Sequence, residues 1–151
     1  MRWRARSRDN PEYHEQAEVV RWLKLNYPDV LFNSSPGGVR YGNSRDAAIR
    51  GAMMKRAGAK KGFPDIAIYE PKQVRVRRKG PKGNILIEQE VHGLFIEMKP
   101  KDGTPSDYKP EQREWAGELR RRGYRAEVCY GAAEAKKIIR AYMGKPKFEQ
   151  E

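Results

Sequence analysis

The chain has 151 residues and a mass of 17.5 kDa, which is the size of one ordinary domain. Thirty-two lysines and arginines against twenty acidic residues give a formal net charge of +12, which indicates a polyanionic partner such as nucleic acid. The composition, with 38% hydrophobic residues, one cysteine and no apolar run of membrane-spanning length, argues against wholesale disorder, an intrachain disulfide and a membrane partner.

The residue pattern along the chain predicts alternating helices and short strands. Residues 1–9 are expected to form a flexible basic arm, and they lack the apolar stretch of a secretory signal, so we expect an intracellular protein, cytoplasmic or nucleoid-associated. Asn10 and Pro11 are typical of a helix start, and Pro28 ends this first helix near Tyr27. The later predicted elements, in chain order, are a strand at 30–32, a loop at 35–38, a helix at 44–57 stopped by Gly58, a strand at 66–69, a hairpin within 70–92, a strand at 94–99, a helix from Pro110 stopped by Gly123, a strand at 124–130 and a helix at 132–143.

These elements predict one mixed α/β domain with a central sheet and flanking helices. The domain covers residues 10–144, with 70–92 inserted as a basic hairpin and 145–151 as a tail. Helical spacing also predicts the buried face of the first helix, which consists of Gln16, Val19, Val20 and Leu23.

The strand at 94–99 contains the first candidate catalytic residues. Because side chains alternate along a strand, Leu94, Ile96 and Met98 share one face, and Glu97 and Lys99 share the other. A carboxylate two residues from an ammonium suits catalysis at a phosphate. A surface strand with an incidental ion pair has the same pattern.

A second candidate acid precedes another strand. Pro64 restricts the chain before Asp65, so the aspartate stands at a defined strand start, although a turn aspartate has the same appearance. If the two strands are antiparallel neighbours, Asp65 and Glu97 meet at one sheet edge. Two carboxylates with water suit Mg²⁺ or Mn²⁺, and Lys99 beside them is placed to orient an attacking water.

The combination of Pro64-Asp65 with Glu97-Met98-Lys99 resembles the PD-(D/E)xK nuclease superfamily, and within it the VRR-NUC domain in its stand-alone viral and bacterial form. The resemblance covers nearly the whole chain. It includes Glu12-x-x-x-Gln16 with Trp22-Leu23, Pro36-Gly37-Gly38 with Arg40, Lys55, Gly58, Gly62-x-Pro64-Asp65, Lys109-Pro110-Glu111-Gln112, and Gly123-Tyr124 followed by Val128, Gly131 and Glu134-Ala135. Lys109 stands where the family pattern usually has serine.

What this resemblance implies is a restriction-endonuclease-like mixed sheet flanked by helices, and a Mg²⁺- or Mn²⁺-dependent endonuclease acting on DNA. Stand-alone members are associated with branched DNA, including four-way junctions, and with homodimers. Because the family includes viral members, a viral protein that acts inside a host cell is also expected.

Two further site residues come from combining the residue pattern with the resemblance. Glu12 lies one helical turn before Gln16 on the face toward the sheet, and the resemblance implies a metal-binding role for it. Glu15 and Glu18 are alternatives on the same helix. Gln112 begins an apolar helix face, where it is either a satisfied first-turn residue or, as the resemblance implies, part of the active site.

The basic residues of the hairpin have two interpretations. They form either a solvated surface or a contact with the DNA backbone, and they are Arg75, Arg77, Arg78, Lys79 and Lys82. Cys129 lies in a predicted apolar strand and is expected in the core. The glycine-rich segments lack the phosphate-loop pattern, so no nucleotide cofactor is expected.

The rival functions are a catalytically idle nucleic-acid-binding module on the same fold, and a nuclease acting on RNA or linear single strands.

Overall fold

The computed structural model describes residues 11–35 and 44–148. Four of the sequence predictions fall outside the described residues: the basic arm at 1–9, the helix cap Asn10, the motif around Pro36-Gly37-Gly38 with Arg40, and the last three residues of the tail.

Residues 11–35 and 44–148 form four α-helices and six strands. The helices are α1 Pro11–Asn26, α2 Ser44–Arg56, α3 Pro110–Arg121 and α4 Ala132–Met143. The strands are β1 Phe32–Ser34, β2 Ile66–Ile68, β3 Lys72–Gly80, β4 Gly83–Val91, β5 Leu94–Lys99 and β6 Arg125–Tyr130, and a short 3₁₀ helix spans Pro105–Asp107. The predicted helices, the hairpin and most strands are confirmed to within two residues. No helix in the described ranges has the length and apolarity to cross a membrane.

Four strands form a mixed central sheet in the order β1-β2-β5-β6. The β1–β2 and β2–β5 pairs are antiparallel, whereas β5 and β6 run parallel. Strands β3 and β4 form a separate two-stranded antiparallel sheet, which is the predicted hairpin. The predicted α/β architecture with a central mixed sheet is therefore confirmed.

Helices cover both faces of β5. On one face, the α1 residues Val19 and Leu23 join a large core with α4 and with the alternate β5 residues Leu94, Ile96 and Met98. On the other face, Phe95 packs in a smaller core against α3. All six residues of β5 are buried, so the interpretation of 94–99 as a surface strand with an incidental ion pair is wrong.

Two details of the predicted elements need correction. Strand β1 begins at Phe32, opposite Ile68, rather than at residue 30. Leu31 is 65% exposed, and its amide donates to the Glu70 carboxylate at 3.1 Å instead of entering the ladder. An apolar run does not specify register, which here is set by pairing with β2. In α1, Val20 is half-buried, and Trp22 and Asn26 are buried beside the predicted face.

Candidate active site

Antiparallel pairing of β2 and β5 brings two distant acids together. Ile66 stands opposite Ile96, so Asp65, one residue earlier, lies beside Glu97. The Met98 amide donates to Asp65 Oδ2 at 2.7 Å and fixes this carboxylate against β5. We call Asp65 and Glu97 the acidic pair.

Glu97 is the more enclosed acid of the pair, with a side chain 8% exposed. Its Oε1 accepts a hydrogen bond from Gln112 Nε2 at 2.6 Å and lies 3.3 Å from Lys99 Nζ. Its Oε2 is buried and has no hydrogen-bond partner among the described residues. A buried carboxylate oxygen without a donor is costly, because it has lost water and gained nothing in exchange.

The environment of the acidic pair shifts both acids toward protonation. Burial and then the neighbouring Asp65 carboxylate raise the pKa of Glu97 to about 8, although the Lys99 ammonium opposes them. Burial likewise raises the pKa of Asp65 to about 6, against the hydrogen bond from Met98. In the absence of a bound metal ion, and with the Lys99 ammonium as a neighbouring cation of both acids, the pair therefore retains a proton at neutral pH.

Lys99 connects the acidic pair to α1. Its side chain is 5% exposed, and its Nζ lies 3.9 Å from Glu12 Oε1. The competing acids of α1 are engaged elsewhere, because Glu15 accepts a hydrogen bond from the Ala132 amide and Glu18 pairs with Lys136 at 3.0 Å. Of the three candidate acids, Glu12 is therefore the one at the site.

A cavity of about 600 Å³ opens above these residues. Its lining includes the five predicted site residues, which are Glu12, Asp65, Glu97, Lys99 and Gln112. Lys60, Phe63 and Trp115 also line it, as does Met54 from α2. The structure thus gathers into one cavity all the residues that sequence reasoning assigned to catalysis.

Comparison with known families gives a match over most of the chain. The model of the VRR-NUC domain matches residues 7–133. The chain belongs to the VRR-NUC family. A solved structure described as a VRR_NUC domain protein is 24% identical and has the same fold, with a TM-score of 0.60 over 89% of this chain and 88% of that chain. No curated protein matches. The VRR-NUC domain is a nuclease-type domain, for which DNA is the implied substrate.

Gln112 connects the start of α3 to the acidic pair. Its Oε1 accepts a hydrogen bond from the Lys109 amide at 2.8 Å, while its Nε2 donates to Glu97. It is therefore both a satisfied first-turn residue and a site residue, so its two interpretations are compatible. Since the Gln112 side chain caps the Lys109 amide, the helix start keeps a cap although lysine replaces the usual serine.

Gly62 sets how closely the loop before Asp65 approaches α3. It has a φ of +88°, and a Cβ there would lie 2.7 Å from the Glu111 carbonyl carbon. Any other residue would push this loop, and with it Asp65, away from the start of α3. The sequence shows Gly62 as part of the Gly62-x-Pro64-Asp65 motif. Its contact with α3 could not be predicted from the sequence and is visible only in the structure.

Gln16 is a site residue whose role sequence reasoning missed. The buried side chain donates from Nε2 to Ser34 Oγ at 3.0 Å and to the Ser35 carbonyl at 2.8 Å. It also reaches the Asp65 carbonyl at 3.4 Å. This amide therefore ties α1 to the end of β1 and the start of β2. The pattern placed Gln16 on the buried face, and its polarity there was the one available sign of a specific partner.

The acidic pair fits a hard divalent cation. Two carboxylates are oxygen donors of the type that Mg²⁺ and Mn²⁺ prefer, and the buried Glu97 Oε2 has no competing donor in the described chain. Within residues 11–35 and 44–148, no three Asp, Glu, His or Cys side chains group closely enough to hold one ion together. The three predicted metal ligands, Glu12, Asp65 and Glu97, are therefore not grouped as one donor set: the acidic pair is close together, and Glu12 Oε1 lies 3.9 Å from Lys99 Nζ at the same cavity.

The other candidate residues lie away from this cavity. Cys129 is fully buried, and burial raises the pKa of its thiol to about 12, which confirms it as a core residue. The hairpin cations Arg75, Arg77, Arg78, Lys79 and Lys82 are exposed and do not line the cavity.

Proposed function

We propose that the protein is a Mg²⁺- or Mn²⁺-dependent endonuclease that hydrolyses DNA phosphodiester bonds. The observation that carries the proposal is the acidic pair with its orphaned Glu97 Oε2, buried beside Lys99 at one cavity. A structural ion pair needs no unsatisfied carboxylate oxygen and no open cavity above it.

In this proposal the residues have separate tasks. Asp65 and Glu97 would hold the cation, and Glu12 would add a third carboxylate to the same cavity, beside Lys99. When bound, the cation would supply Lewis-acid stabilisation of the phosphate and a lower pKa for the attacking water. Lys99 orients that water and stabilises the charge that develops on the phosphate oxygens. Gln112 holds Glu97 Oε1 in place through its hydrogen bond.

We call the exposed cations Lys55, Arg56 and Lys60 the basic rim, and propose that the DNA passes them on its way to the cavity. Lys60 lines the cavity, and Lys55 and Arg56 end the helix that precedes it, whereas Lys61 is already paired with Glu111 at 3.2 Å. When these cations contact DNA phosphates, counterions are released from the DNA. This release adds binding affinity that does not depend on base sequence.

The proposed substrate is branched DNA such as a four-way junction, cut by a homodimer. This part of the proposal is supported by resemblance to stand-alone VRR-NUC proteins. A symmetric junction requires two cuts, and a twofold dimer presents two equivalent sites.

The test is a cleavage panel of duplex, flap, splayed-arm and four-way DNA, together with RNA and linear single-stranded DNA, with Mn²⁺ or with EDTA. We expect Mn²⁺-dependent products, most rapidly from branched substrates, and none from Lys99→Ala. The matched control is Lys24→Ala, which removes an exposed lysine of α1 and should cleave like the wild type.

Each alternative has its own outcome in this panel. Gel retardation without a metal-dependent product from any substrate contradicts the nuclease proposal and favours an idle binding module. Faster cleavage of RNA or linear single strands contradicts the branched-DNA assignment alone. A monomer by light scattering contradicts the homodimer alone.

A further inference from the structure

The hairpin carries its charges unevenly along its length. Residues 72–91 contain six cations and two acids, and both acids, Glu88 and Glu90, are near its base. The outer part, residues 76–87, contains four cations and no acid. We call residues 76–87 the hairpin tip.

Strand register shows which cations are already neutralised. At the base, Arg75 stands opposite Glu88, and the two side chains pair at 3.8 Å. In the hairpin tip, the residues opposite Arg77, Arg78 and Lys79 are Leu86, Ile85 and Asn84. Lys82 lies in the turn. The four tip cations are exposed, and none forms an ion pair with an acid in the described ranges. Four like charges brought close together without counter-charges destabilise the hairpin on its own, so a polyanion is the natural complement.

The hairpin leaves the sheet at the end away from the active site. Asp65 precedes β2, whereas the hairpin follows Ile68 at its other end. Likewise, β5 begins at Leu94 directly after the hairpin and reaches Glu97 and Lys99 later. A nine-residue strand pair spans about 30 Å. The tip therefore belongs to a different contact region from the basic rim of the cavity.

We infer that the hairpin tip is a second DNA-binding element, which holds the phosphate backbone of a duplex segment away from the scissile phosphate. Rows of guanidinium and ammonium groups on a two-stranded ribbon suit a DNA backbone and groove. The choice of DNA as ligand rests on the function proposed above. The exposed Ile85 and Leu86 offer a second copy of this chain as another occupant, but two tips of like charge repel each other.

The experiment measures DNA binding without cleavage. Wild-type protein and a variant with alanine at Arg77, Arg78, Lys79 and Lys82 are titrated in EDTA onto labelled 30-bp duplex and four-way DNA, across a salt series. Each lost phosphate contact reduces the slope of log K against log salt by about 0.9, so we expect a reduction of up to about 3.6. Affinity at low salt should fall roughly tenfold or more for both DNAs.

Single substitutions separate the tip from overall charge. Arg77→Ala should weaken binding more than Arg75→Ala on the same strand face, since Glu88 already neutralises Arg75. Lys137→Ala removes an exposed cation of α4 and should leave the dissociation constant within about twofold of the wild-type value. Circular dichroism and thermal unfolding verify that the variants are folded.

The inference is overturned if the fourfold variant keeps the wild-type salt slope, or if Lys137→Ala weakens binding as much as Arg77→Ala. It is also overturned if the fourfold variant has a different oligomeric state from the wild type but binds DNA with wild-type affinity. The tip would then contact a second copy of the chain and not DNA. Loss of cleavage in Lys99→Ala tests the proposed function separately, since binding in EDTA does not depend on it.

Discussion

The end of the sheet that carries the acidic pair and the hairpin tip are both rich in charge, but their surroundings differ. Glu97 and Lys99 have side chains 8% and 5% exposed and contact each other directly. The tip cations are exposed and face no acid across the hairpin. Buried charges alter each other's protonation strongly, whereas exposed charges are screened by salt and act mainly on association. Substitutions at the first region should therefore change chemistry, and those at the second should change salt-dependent binding.

Among changes at the acidic pair and the residues that support it, the largest effect is expected from Asp65→Asn. This change keeps an acceptor for the Met98 amide but removes one negative charge from the acidic pair. We expect the Mn²⁺-dependent initial rate of DNA cleavage to fall by about 100-fold or more. Asp29→Asn, which changes an exposed turn aspartate, is the control. A cleavage rate within a few-fold of wild type for Asp65→Asn would remove Asp65 from the mechanism.

Gln112→Ala should have the next largest effect. It removes the hydrogen bonds to Glu97 Oε1 and to the Lys109 amide, so Glu97 loses its support. Residues that hold a metal-binding carboxylate in place typically contribute about 10- to 100-fold, and we expect a loss of that size in cleavage rate. Glu114→Ala, on the exposed side of the same helix, should cleave normally. Equal rates for both variants would make Gln112 a structural cap alone.

The acidic pair also predicts how stability depends on pH in metal-free protein. The pKa of Glu97 is raised to about 8 in the folded state, so the unfolded state ionises first. The free energy of unfolding should therefore fall as pH rises from about 4 toward 8. Glu97→Gln removes this titration, so at pH 8 it should be more stable than the wild type by at least about 1 kcal/mol.

Denaturant unfolding across this pH range measures the effect. A metal-free wild type that gains stability between pH 5 and pH 8 relative to Glu97→Gln would contradict the raised pKa. If Glu97→Gln is more stable than the wild type but no longer cleaves DNA, the charged Glu97 is needed for activity although it lowers the free energy of unfolding.

Sequence reasoning placed the acidic pair correctly because its geometry follows from short-range rules. Alternation along β5 puts Glu97 and Lys99 on one face, and an antiparallel neighbour brings Asp65 beside them. Burial of all of β5 was not predictable from the same pattern, because Glu97 and Lys99 look like solvent-facing residues until Gln112 of α3 and Glu12 of α1 are placed beside them.

The features that escaped prediction depend on residues distant in sequence. Gln16 bonds Ser34 and Ser35, which reach it through the fold of β1. The choice of Glu12 over Glu15 depended on α4, whose first amide engages Glu15. Likewise, the hairpin cations were visible in the sequence, but register was needed to show that Arg75 faces Glu88.

Gln16→Ala tests the tie between α1 and the active-site strands. The change leaves the Ser34 hydroxyl and the Ser35 carbonyl without their donor in a partly buried place. We expect the free energy of unfolding to fall by about 1–3 kcal/mol. Glu18→Ala breaks an exposed ion pair on the same helix and should cost less than about 1 kcal/mol. A similar decrease in the free energy of unfolding for the two variants would show that the Gln16 hydrogen bonds stabilise the fold no more than an exposed ion pair does.

The smallest effect on stability is expected at the hairpin tip. Arg77 is exposed and has no ion-pair partner in the described chain, so Arg77→Ala should change the free energy of unfolding by no more than about 0.5 kcal/mol. Thermal unfolding at low and high salt checks this. A larger loss would mean that Arg77 stabilises the fold, and the contrast between the two regions would then be weaker.

Direct binding of Mn²⁺ is the most immediate test of the acidic pair. In an electron paramagnetic resonance titration at pH 8, wild-type protein should bind Mn²⁺ saturably. Asp65→Asn and Glu97→Gln should each weaken this binding at least tenfold, and Asp29→Asn should bind like the wild type. Equal Mn²⁺ affinity in all four proteins would contradict the claim that Asp65 and Glu97 hold the catalytic cation.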